Sequence, residues 1–591
     1  MAFQVSPGVR VTETDLTNIV PAVSTSIGAI AGSFSWGPVN KIVQIGSEQR
    51  LVSIFGEPTN SNYKYFLSAA QFLQYGNDLR VVRTNIKNPS YDPDAPTDPS
   101  DPAYDEELAR EFDLFNANVD GSGVLVPNED EFEVMSFSSG NEVIARYPGD
   151  LGNSIGVVFI TNETAFDVLR QELRDQYDFK PSTTQFAEDR GLTGDELHVA
   201  VYDKDGKITG NENQILEIYA GLSQASNAKR PNGQNNYYID VINNQSDFIY
   251  LGTPDTAQLP DAGTNTNDSD QLTNSGEYAT VDTVIEYNLS GGSDGGNLAR
   301  FDDLVESYNL FADAETVDVN LIIGPDMPES DDEAIATSLV QLVEGRRDAV
   351  VCLSPSSSRT VNQTFATENV IEWADSINST SYAIFDSTAV QVYDRYNDKF
   401  RWINAASSVA GLCAFTDNIQ DPWFSPAGFN RGQLRGVMKI AHNPKQAQRD
   451  SLYKARVNPI VSFPGEGTIL YGDKTALSRP SAFDRINVRR LFITLEKAIS
   501  TAAKFQLFEL NDEFTRAQFR NMVEPYLRDV QGRRGITDFE VIADETNNTP
   551  QVIDTNRFVA DIYVKPARSI NFITLNFIAV RTGVEFSEIA G

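Results

Sequence analysis

The pattern of apolar and polar residues predicts an amphipathic α-helix from Val488 to Ala502. Its apolar positions recur every three or four residues, as one buried helical face requires: Val488, Leu491, Phe492, Leu495, Ile499 and Ala502. A second helical pattern follows, with Thr515 and Gln518 as a predicted capping box. Pro525 is expected to kink or split this second helix, and Gly532 fits its end.

Strand and helix patterns alternate in two separated parts of the chain, residues 24–87 and residues 300–470. The runs VNLIIGP, AVVCLSP and SYAIFD are apolar throughout, as is typical of strands in a sheet that is covered on both faces. The two parts are therefore predicted to share one sheet, with the residues between them inserted. The predicted fold class is α/β and α+β multidomain, with a discontinuous α/β core, β-rich insertions and a C-terminal α+β domain flanked by extended arms.

Changes in composition divide the chain further, because a Pro- and Asp-rich stretch begins near residue 88 and a Gly-rich stretch ends the insertion. The prediction is an N-terminal arm at 1–23, the core at 24–87 plus 300–470, an outward insertion at 88–146, a β-rich insertion at 147–299, a C-terminal α+β domain at 471–578 and a C-terminal arm at 579–591.

Both ends of the chain carry β-segments without a local partner. Val9 and Val11 alternate with polar residues after a Pro-Gly turn, and the final alternating run is longer than the roughly 5–6 residues of a typical strand. A single strand is not stable in water, so these segments are expected to add to a sheet of a neighbouring molecule. The residues predicted to do so are Val9, Arg10, Val11, Leu575, Phe577, Ala579 and Val580.

The distribution of charge points to an acidic partner for the C-terminal region. The net charge of the chain is −36, yet residues 431–540 hold 19 Lys and Arg against 12 Asp and Glu. Arg490, Lys497 and Lys504 are seven residues apart and are predicted to form one stripe. The region lacks the aromatic interleaving of single-strand binders and any groove-reading motif, which favours an acidic protein over nucleic acid. The candidate contact residues are Arg490, Lys497, Lys504, Arg516, Arg520, Arg533 and Arg534.

Composition also bears on compartment and cofactors. Cys352 and Cys413 have no metal or redox spacing and suit a reducing compartment. No stretch reaches the roughly 18–20 apolar residues of a membrane helix, and the N-terminus lacks the pattern of a signal peptide. We therefore expect synthesis and assembly in the cytoplasm, with no cofactor, no metal and no membrane insertion.

Two short motifs have both a catalytic or metal-binding interpretation and a structural one. Residues 291–295 fit G-x-S-x-G, which makes Ser293 a candidate nucleophile with His442 as its base. No oxyanion-loop motif accompanies it, so a hinge where the insertion rejoins the core is favoured, formed by Gly291, Gly292, Gly295 and Gly296. Residues 201–212 approach a calcium-binding EF-hand loop, but Val201 stands where a carboxylate is needed, and a hairpin turn accounts for them.

Several blocks along the whole chain resemble the tail sheath proteins of contractile-tailed bacteriophages, in particular the T-even type of myophage. They include SPGVRVTETD, GAIAGSFSWGPVNKIVQIG, ARYPGDLGNSIGV, FPGEGTILYGDKT, INVRRLFITLEKAI and PARSINFITLNFIAVRTGVEFSEIAG. The resemblance is weakest in the acidic region 88–140 and the Asn- and Ser-rich region 224–280, as outward insertions would be.

The resemblance implies a structural subunit that stacks as hexameric rings around a tail tube and contracts to drive that tube through the host envelope. It implies the tube, the baseplate and the tail terminator or neck proteins as partners, and the virion tail as location. It also implies that terminal arms add strands to a neighbour's C-terminal sheet and that the C-terminal domain lies innermost. Two alternatives stay open: a non-contractile surface or receptor-binding protein of the virion, and a serine hydrolase that uses Ser293.

Overall fold

A computed structural model shows the fold of the protein. It describes residues 24–88, 90, 111–135, 141–252, 266–267, 271–272, 278, 281–296 and 299–571. The residues predicted to form donated strands, Val9, Arg10, Val11, Leu575, Phe577, Ala579 and Val580, lie outside these ranges.

Strands occur along nearly all of the described chain. In chain order they are β1 Gly28–Gly32, β2 Ile42–Ile45, β3 Leu79–Arg83, β4 Leu114–Phe115, β5 Val143–Ala145, β6 Ile155–Ile160, β7 Glu196–Asp203, β8 Gln214–Ser223, β9 Ile249–Leu251, β10 Thr266–Asn267, β11 Gln271–Leu272 and β12 Ile285–Asn288. They continue with β13 Ser293–Asp294, β14 Leu321–Ile323, β15 Val350–Leu353, β16 Ala383–Asp386, β17 Ala389–Asp394, β18 Lys399–Asn404, β19 Val437–Ile440, β20 Val457–Asn458, β21 Ile460–Phe463, β22 Gly467–Leu470, β23 Ile536–Ile542 and β24 Asp561–Pro566.

The two longest helices of the described chain lie in its C-terminal part. They are α1 Glu48–Phe55, α2 Tyr63–Leu73, α3 Glu129–Val134, α4 Glu163–Asp167, α5 Gln171–Arg174, α6 Gln185–Glu188, α7 Tyr238–Gln245, α8 Phe301–Asn309, α9 Asp332–Arg346, α10 Ala366–Ser376, α11 Ala406–Ile419, α12 Gln446–Lys454, α13 Ile486–Ala503, α14 Glu513–Gly532 and α15 Pro550–Asp554. Short 3₁₀ turns lie at Asp150–Ser154, Ser357–Arg359, Ala482–Asp484 and Lys504–Gln506. No helix in the described ranges has an apolar stretch long enough to cross a membrane.

One seven-stranded sheet organises the core, in the order β2-β3-β1-β14-β15-β16-β20. β1 pairs in parallel with β3 on one side and with β14 on the other, so both separated parts of the chain contribute to the same sheet. This confirms the shared sheet. Only β2 runs antiparallel to its neighbour within the sheet. The three apolar runs form β14, β15 and β16, and all residues of these strands are buried. They are buried because helices cover both faces of this mostly parallel sheet.

The insertion has its own core around a four-stranded antiparallel sheet in the order β12-β6-β7-β8. β5 pairs with β9, and Ala117, Val143 and Ala145 pack in the same apolar cluster as Ile155. The boundary predicted between residues 146 and 147 therefore passes through a packed core. The prediction missed this packing because β5 and β9 are separated by about a hundred residues of sequence.

The C-terminal part consists of α13, α14 and the two-stranded sheet β23–β24. Apolar residues of these elements form one cluster together with Trp423. Both predicted helices are present, but the capping box is wrong. α14 begins at Glu513 and is capped by Asp512, whose carboxylate accepts a hydrogen bond of 2.8 Å from the Thr515 backbone N–H. Pro525 does not split the helix, which ends at Gly532.

Candidate functional site

Helix α13 joins two hydrophobic cores. Ile486 and Ile493 belong to the core built on the seven-stranded sheet, whereas Leu491, Leu495 and Ala498 belong to the C-terminal cluster. Because apolar partners lie on more than one side of it, the first half of this helix is buried nearly all round, including the polar side chains of Asn487, Arg489 and Arg490. The single apolar face that the periodicity predicts is therefore too narrow.

Arg490 is buried at the junction of these two cores. Its guanidinium donates to the Asp417 carboxylate at 2.6 Å, to the Thr25 carbonyl at 3.2 Å and to the Cys413 carbonyl at 3.3 Å. Burial lowers the pKa of Arg490, but the nearby Asp417 carboxylate outweighs this and raises the pKa above its ordinary value. Arg490 is a structural cation of the fold, and the prediction of an exposed stripe that contains it is wrong.

The other two predicted stripe residues differ from each other. The Lys497 amino group contacts the Asp318 carboxylate and is mostly covered, with 17% of the side chain exposed. Lys504 is exposed where α13 ends and the following 3₁₀ turn begins. The heptad spacing carries no information about which neighbouring part of the chain covers each of these positions.

The cations of α14 and its C-terminal end are also divided. Arg516 is buried and Arg520 is half-buried, whereas Arg533 and Arg534 are exposed. Arg533 contacts the Asp421 carboxylate, and its guanidinium lies 5.1 Å from the centre of the Trp423 ring. Arg534 has φ 67°, the left-handed conformation in which a residue after a helix turns the chain away.

The exposed cations lie at two places on the C-terminal domain. Asn487 at the start of α13 donates to the Trp423 carbonyl, so Arg533 and Arg534 lie near that end of the helix. Lys504 lies at the other end, about 27 Å away for a helix of 18 residues. The accessible positive charge is thus distributed along the domain instead of forming one cluster.

The glycines predicted as a hinge lie at a tight chain crossing. A Cβ on Gly291 would meet the Gly121 carbonyl oxygen at 2.4 Å, and φ of Gly291 is +79°. Gly292 and Asn153 exchange two hydrogen bonds of 2.8 and 2.9 Å. Gly295 lies beside Ile86, while a Cβ on Gly296 would meet open space. A non-glycine residue at Gly291 would be both sterically blocked and strained.

The candidate catalytic residues and the candidate metal-binding loop make hydrogen bonds that belong to the fold. The Ser293 hydroxyl accepts from the Gly295 N–H at 3.1 Å, and the His442 ring hydrogen-bonds to the Thr367 hydroxyl at 2.9 Å. No hydrogen bond between Ser293 and His442 is found in the described structure. Asp203 is the third residue of the EF-hand-like loop 201–212. Its carboxylate accepts hydrogen bonds from backbone N–H groups of the β7–β8 turn.

Sheet β23–β24 has two strands only, and no further strand pairs with either edge within the residues that the structure describes. Six of the seven residues of β23 are exposed or half-exposed. Unpaired strand edges present rows of backbone N–H and C=O groups that another chain can pair with. The sequence predicted the strands but not that they stand apart from a larger sheet.

The turn between α13 and α14 exposes large apolar side chains, a feature that the sequence reading missed. Phe505, Leu507, Phe508, Leu510 and Phe514 each expose at least 63% of their surface. The signal was available, because these apolar residues fall between two helical patterns and follow the period of neither.

Comparison with known proteins identifies the family. Residues 25–84 match the family described as tail sheath protein Gp18 domain III N-terminal region, residues 305–476 match the phage tail sheath protein central domain, and residues 478–579 match the phage tail sheath C-terminal domain. The tail sheath protein of Enterobacteria phage T4 is 35% identical over 654 aligned residues, covering 99% of each chain. The chain belongs to the phage tail sheath protein family.

Further relatives agree with this assignment. The tail sheath protein of Vibrio phage KVP40 is also 35% identical and covers 99% of both chains. A crystallised sheath tail protein of Listeria innocua matches with a TM-score of 0.53 at 14% identity, covering 93% of each chain. At that identity the likeness concerns the fold alone. The resemblance drawn from the sequence is confirmed, and the protein is a tail sheath subunit with a mixed α/β multidomain fold.

Proposed function

We propose that this sheath protein polymerises as stacked hexameric rings around a tail tube and contracts to drive the tube through the host envelope. Full-length similarity to phage tail sheath proteins is the observation that carries the proposal. The polymer would form in the host cytoplasm and act in the virion, with the tube, baseplate and neck proteins as partners and no direct contact with nucleic acid.

The edges of β23–β24, with which no other described strand pairs, support strand exchange as the link between subunits. A strand from an arm of one copy that adds to this sheet in the next copy gains a full set of backbone hydrogen bonds. Such a link holds through the arm while the rest of each subunit rotates as a rigid body between two packings. The terminal residues Val9–Val11 and Leu575–Val580 remain our candidates for the donated strands.

We further propose a division into three units: a core of residues 24–87 and 300–470, a single insertion of 88–299, and a C-terminal domain from 471 onwards that faces the tube. The shared seven-stranded sheet and the common core of residues 117, 143, 145 and 155 support it. Gly291 and Gly292 would hold the end of the insertion against its own residues Gly121 and Asn153, and Gly295 would lie against Ile86 where the chain returns to the core.

For the tube contact we retain the exposed members of the predicted set: Lys504, Arg533 and Arg534. Exposed ion pairs contribute at most about 1 kcal/mol each, so contacts of this kind can be repeated along the tube and released on contraction. Arg490 and Arg516 are buried, Arg520 is half-buried, and Lys497 is mostly covered at its contact with Asp318. Arg533 is retained because it stays 52% exposed beside Asp421.

Electron microscopy of the purified protein tests the proposal, with hollow, helically striated cylinders as the expected result. Globular particles at every protein concentration would contradict it.

For the tube contact, the double reversal Lys504→Glu with Arg534→Glu should prevent polymerisation on isolated tail tubes. The matched control is Lys207→Glu with Lys229→Glu, which changes the net charge equally at exposed positions of the insertion. Equal tube coating by both variants would exclude these cations as the contact.

A further inference from the structure

The turn between α13 and α14, together with the first turn of α14, presents a concentrated apolar surface, which we call the apolar tip: Phe505, Leu507, Phe508, Leu510 and Phe514. Their exposed fractions are 70%, 63%, 105%, 78% and 76%. Single exposed apolar residues are ordinary on soluble proteins, but five large ones exposed within ten residues are a concentration of the kind that marks an interaction site.

The apolar tip has a defined backbone shape. α13 continues directly into the 3₁₀ turn Lys504–Gln506, and Asp512, which lies between Leu510 and Phe514, caps α14. The Asn511 side chain donates to the Arg557 carbonyl at 2.9 Å, which fastens the tip to the rest of the domain. The exposed residues are therefore held in place before any partner binds.

Phe508 is the most unusual residue of the apolar tip. Its φ is +70°, in the left-handed region that bulky residues rarely adopt, and its side chain is fully exposed. The surrounding turns hold this strained conformation, although among the residues that the structure describes no ring contact of Phe508 offsets its cost. Strain of this kind is typical of positions that act in binding.

We propose that the apolar tip docks onto a second copy of this chain in the sheath. The inference rests on the proposed function, because it assumes that the chain polymerises. The tip would meet a different part of the next copy, and a contact between two unlike surfaces propagates into rings or helices instead of closing as a dimer.

The expected strength of the contact favours a second copy over the tube. Burial of several Phe and Leu side chains stabilises a contact far more than exposed ion pairs do. A contact with the tube must be released at each subunit during contraction, which suits the exposed cations. A contact between two copies beside β23–β24, where the arm link is proposed to hold through contraction, need not be released, which suits apolar burial.

The position and charge of the apolar tip support the same partner. Arg557, to which Asn511 is bonded, lies four residues before β24, so the tip adjoins the sheet whose free edge is proposed to receive a neighbour's strand. Glu509, Asp512 and Glu513 lie among the apolar residues and disfavour an anionic membrane as the partner.

Photo-crosslinking from position 508 of the full chain tests the partner directly. We would replace Phe508 by benzoylphenylalanine, polymerise the protein on tail tubes, irradiate and identify the products by mass spectrometry. A covalent product between two sheath chains is the expected result, and it should be absent from unpolymerised protein. A product with the tube protein, with added lipid vesicles or within one chain, or the absence of any product, would overturn the inference.

Polymerisation of Phe508→Ser supplies a second measurement. Because the Phe508 ring is fully exposed in the free subunit, this variant should unfold at the wild-type temperature while its critical concentration for polymerisation rises at least tenfold. Phe365→Ser is the matched control, since Phe365 is 66% exposed on the core domain, and its critical concentration should stay within twofold of wild type. Wild-type polymerisation with no difference between the variants would overturn the inference and leave the proposed function intact. Failure of the wild type to polymerise would overturn both.

Discussion

Single buried residues decide how the C-terminal domain is attached to the core, and Arg490 is the main example. Its partner Asp417 lies on α11 of the core, and both side chains are more than 90% buried. A buried carboxylate that loses its cation keeps the cost of leaving water without the compensating attraction. The pair therefore fixes the position of α13 against the core in addition to the apolar contacts around it.

Replacing Arg490 by Met should lower the free energy of unfolding by about 3–5 kcal/mol, because Asp417 is left buried and unpaired. Replacing both residues, Arg490→Met with Asp417→Leu, should recover most of this loss, because neither charge remains. Urea titration followed by circular dichroism measures both effects. A single variant within 1 kcal/mol of the wild type would show that the buried pair contributes little to the attachment of α13.

At the scale of elements, the ends of helices depend on residues that a periodic pattern does not reveal. Thr515 with Gln518 fits a capping box, yet Asp512 accepts the hydrogen bond from the Thr515 N–H and caps α14 one turn earlier. Asp512 lies within the apolar tip, where no helical periodicity marks the approach of a helix.

Asp512→Ala should therefore destabilise the C-terminal domain by about 1 kcal/mol, the usual cost of losing an N-cap. Thr515→Ala should change the unfolding free energy by less than half as much, because the Thr515 side chain is not the cap. Thermal unfolding of the two variants side by side distinguishes them. A larger effect of Thr515→Ala would restore the sequence-based capping box.

The elements that the sequence predicted well are those whose signal is local. β14, β15 and β16 are short apolar runs, and any sheet covered on both faces buries them whatever their order. The burial of Arg490 could not be predicted in the same way, because it depends on Asp417, 73 residues away in sequence. The exposure of Phe508 was also missed. Phe is usually buried, and its residue type gives no sign that the fold leaves this side chain in solvent.

At the scale of the whole molecule, the two ends of the insertion meet. The Lys87 amino group contacts the Glu306 carboxylate at 2.7 Å, and the Lys87 backbone N–H lies 3.4 Å from the Asp303 carboxylate. The chain thus leaves the core and returns to it at one place. Every strand of the seven-stranded sheet lies outside the insertion, so this sheet does not need the insertion for its hydrogen bonds.

Residues 88–299 should therefore be removable as a unit. We expect a chain in which a short Gly- and Ser-rich linker replaces them to fold, provided that Trp36, which packs in the insertion's core, is changed to Ser to avoid an exposed apolar residue. Circular dichroism should show retained helix and one cooperative urea transition at lower stability, because Arg83 loses its hydrogen bond to the Pro148 carbonyl.

The control is a chain that lacks residues 300–346, which removes the central strand β14 and its flanking helices α8 and α9. That chain should show no cooperative transition, because β1 and β15 lose the strand that lies between them. If the two deletions behave alike, the core depends on the insertion for its folding and the division proposed above is wrong. If only the control fails, the insertion is an addition to a self-sufficient sheet, and its surface can vary between sheath proteins without affecting the fold that carries assembly.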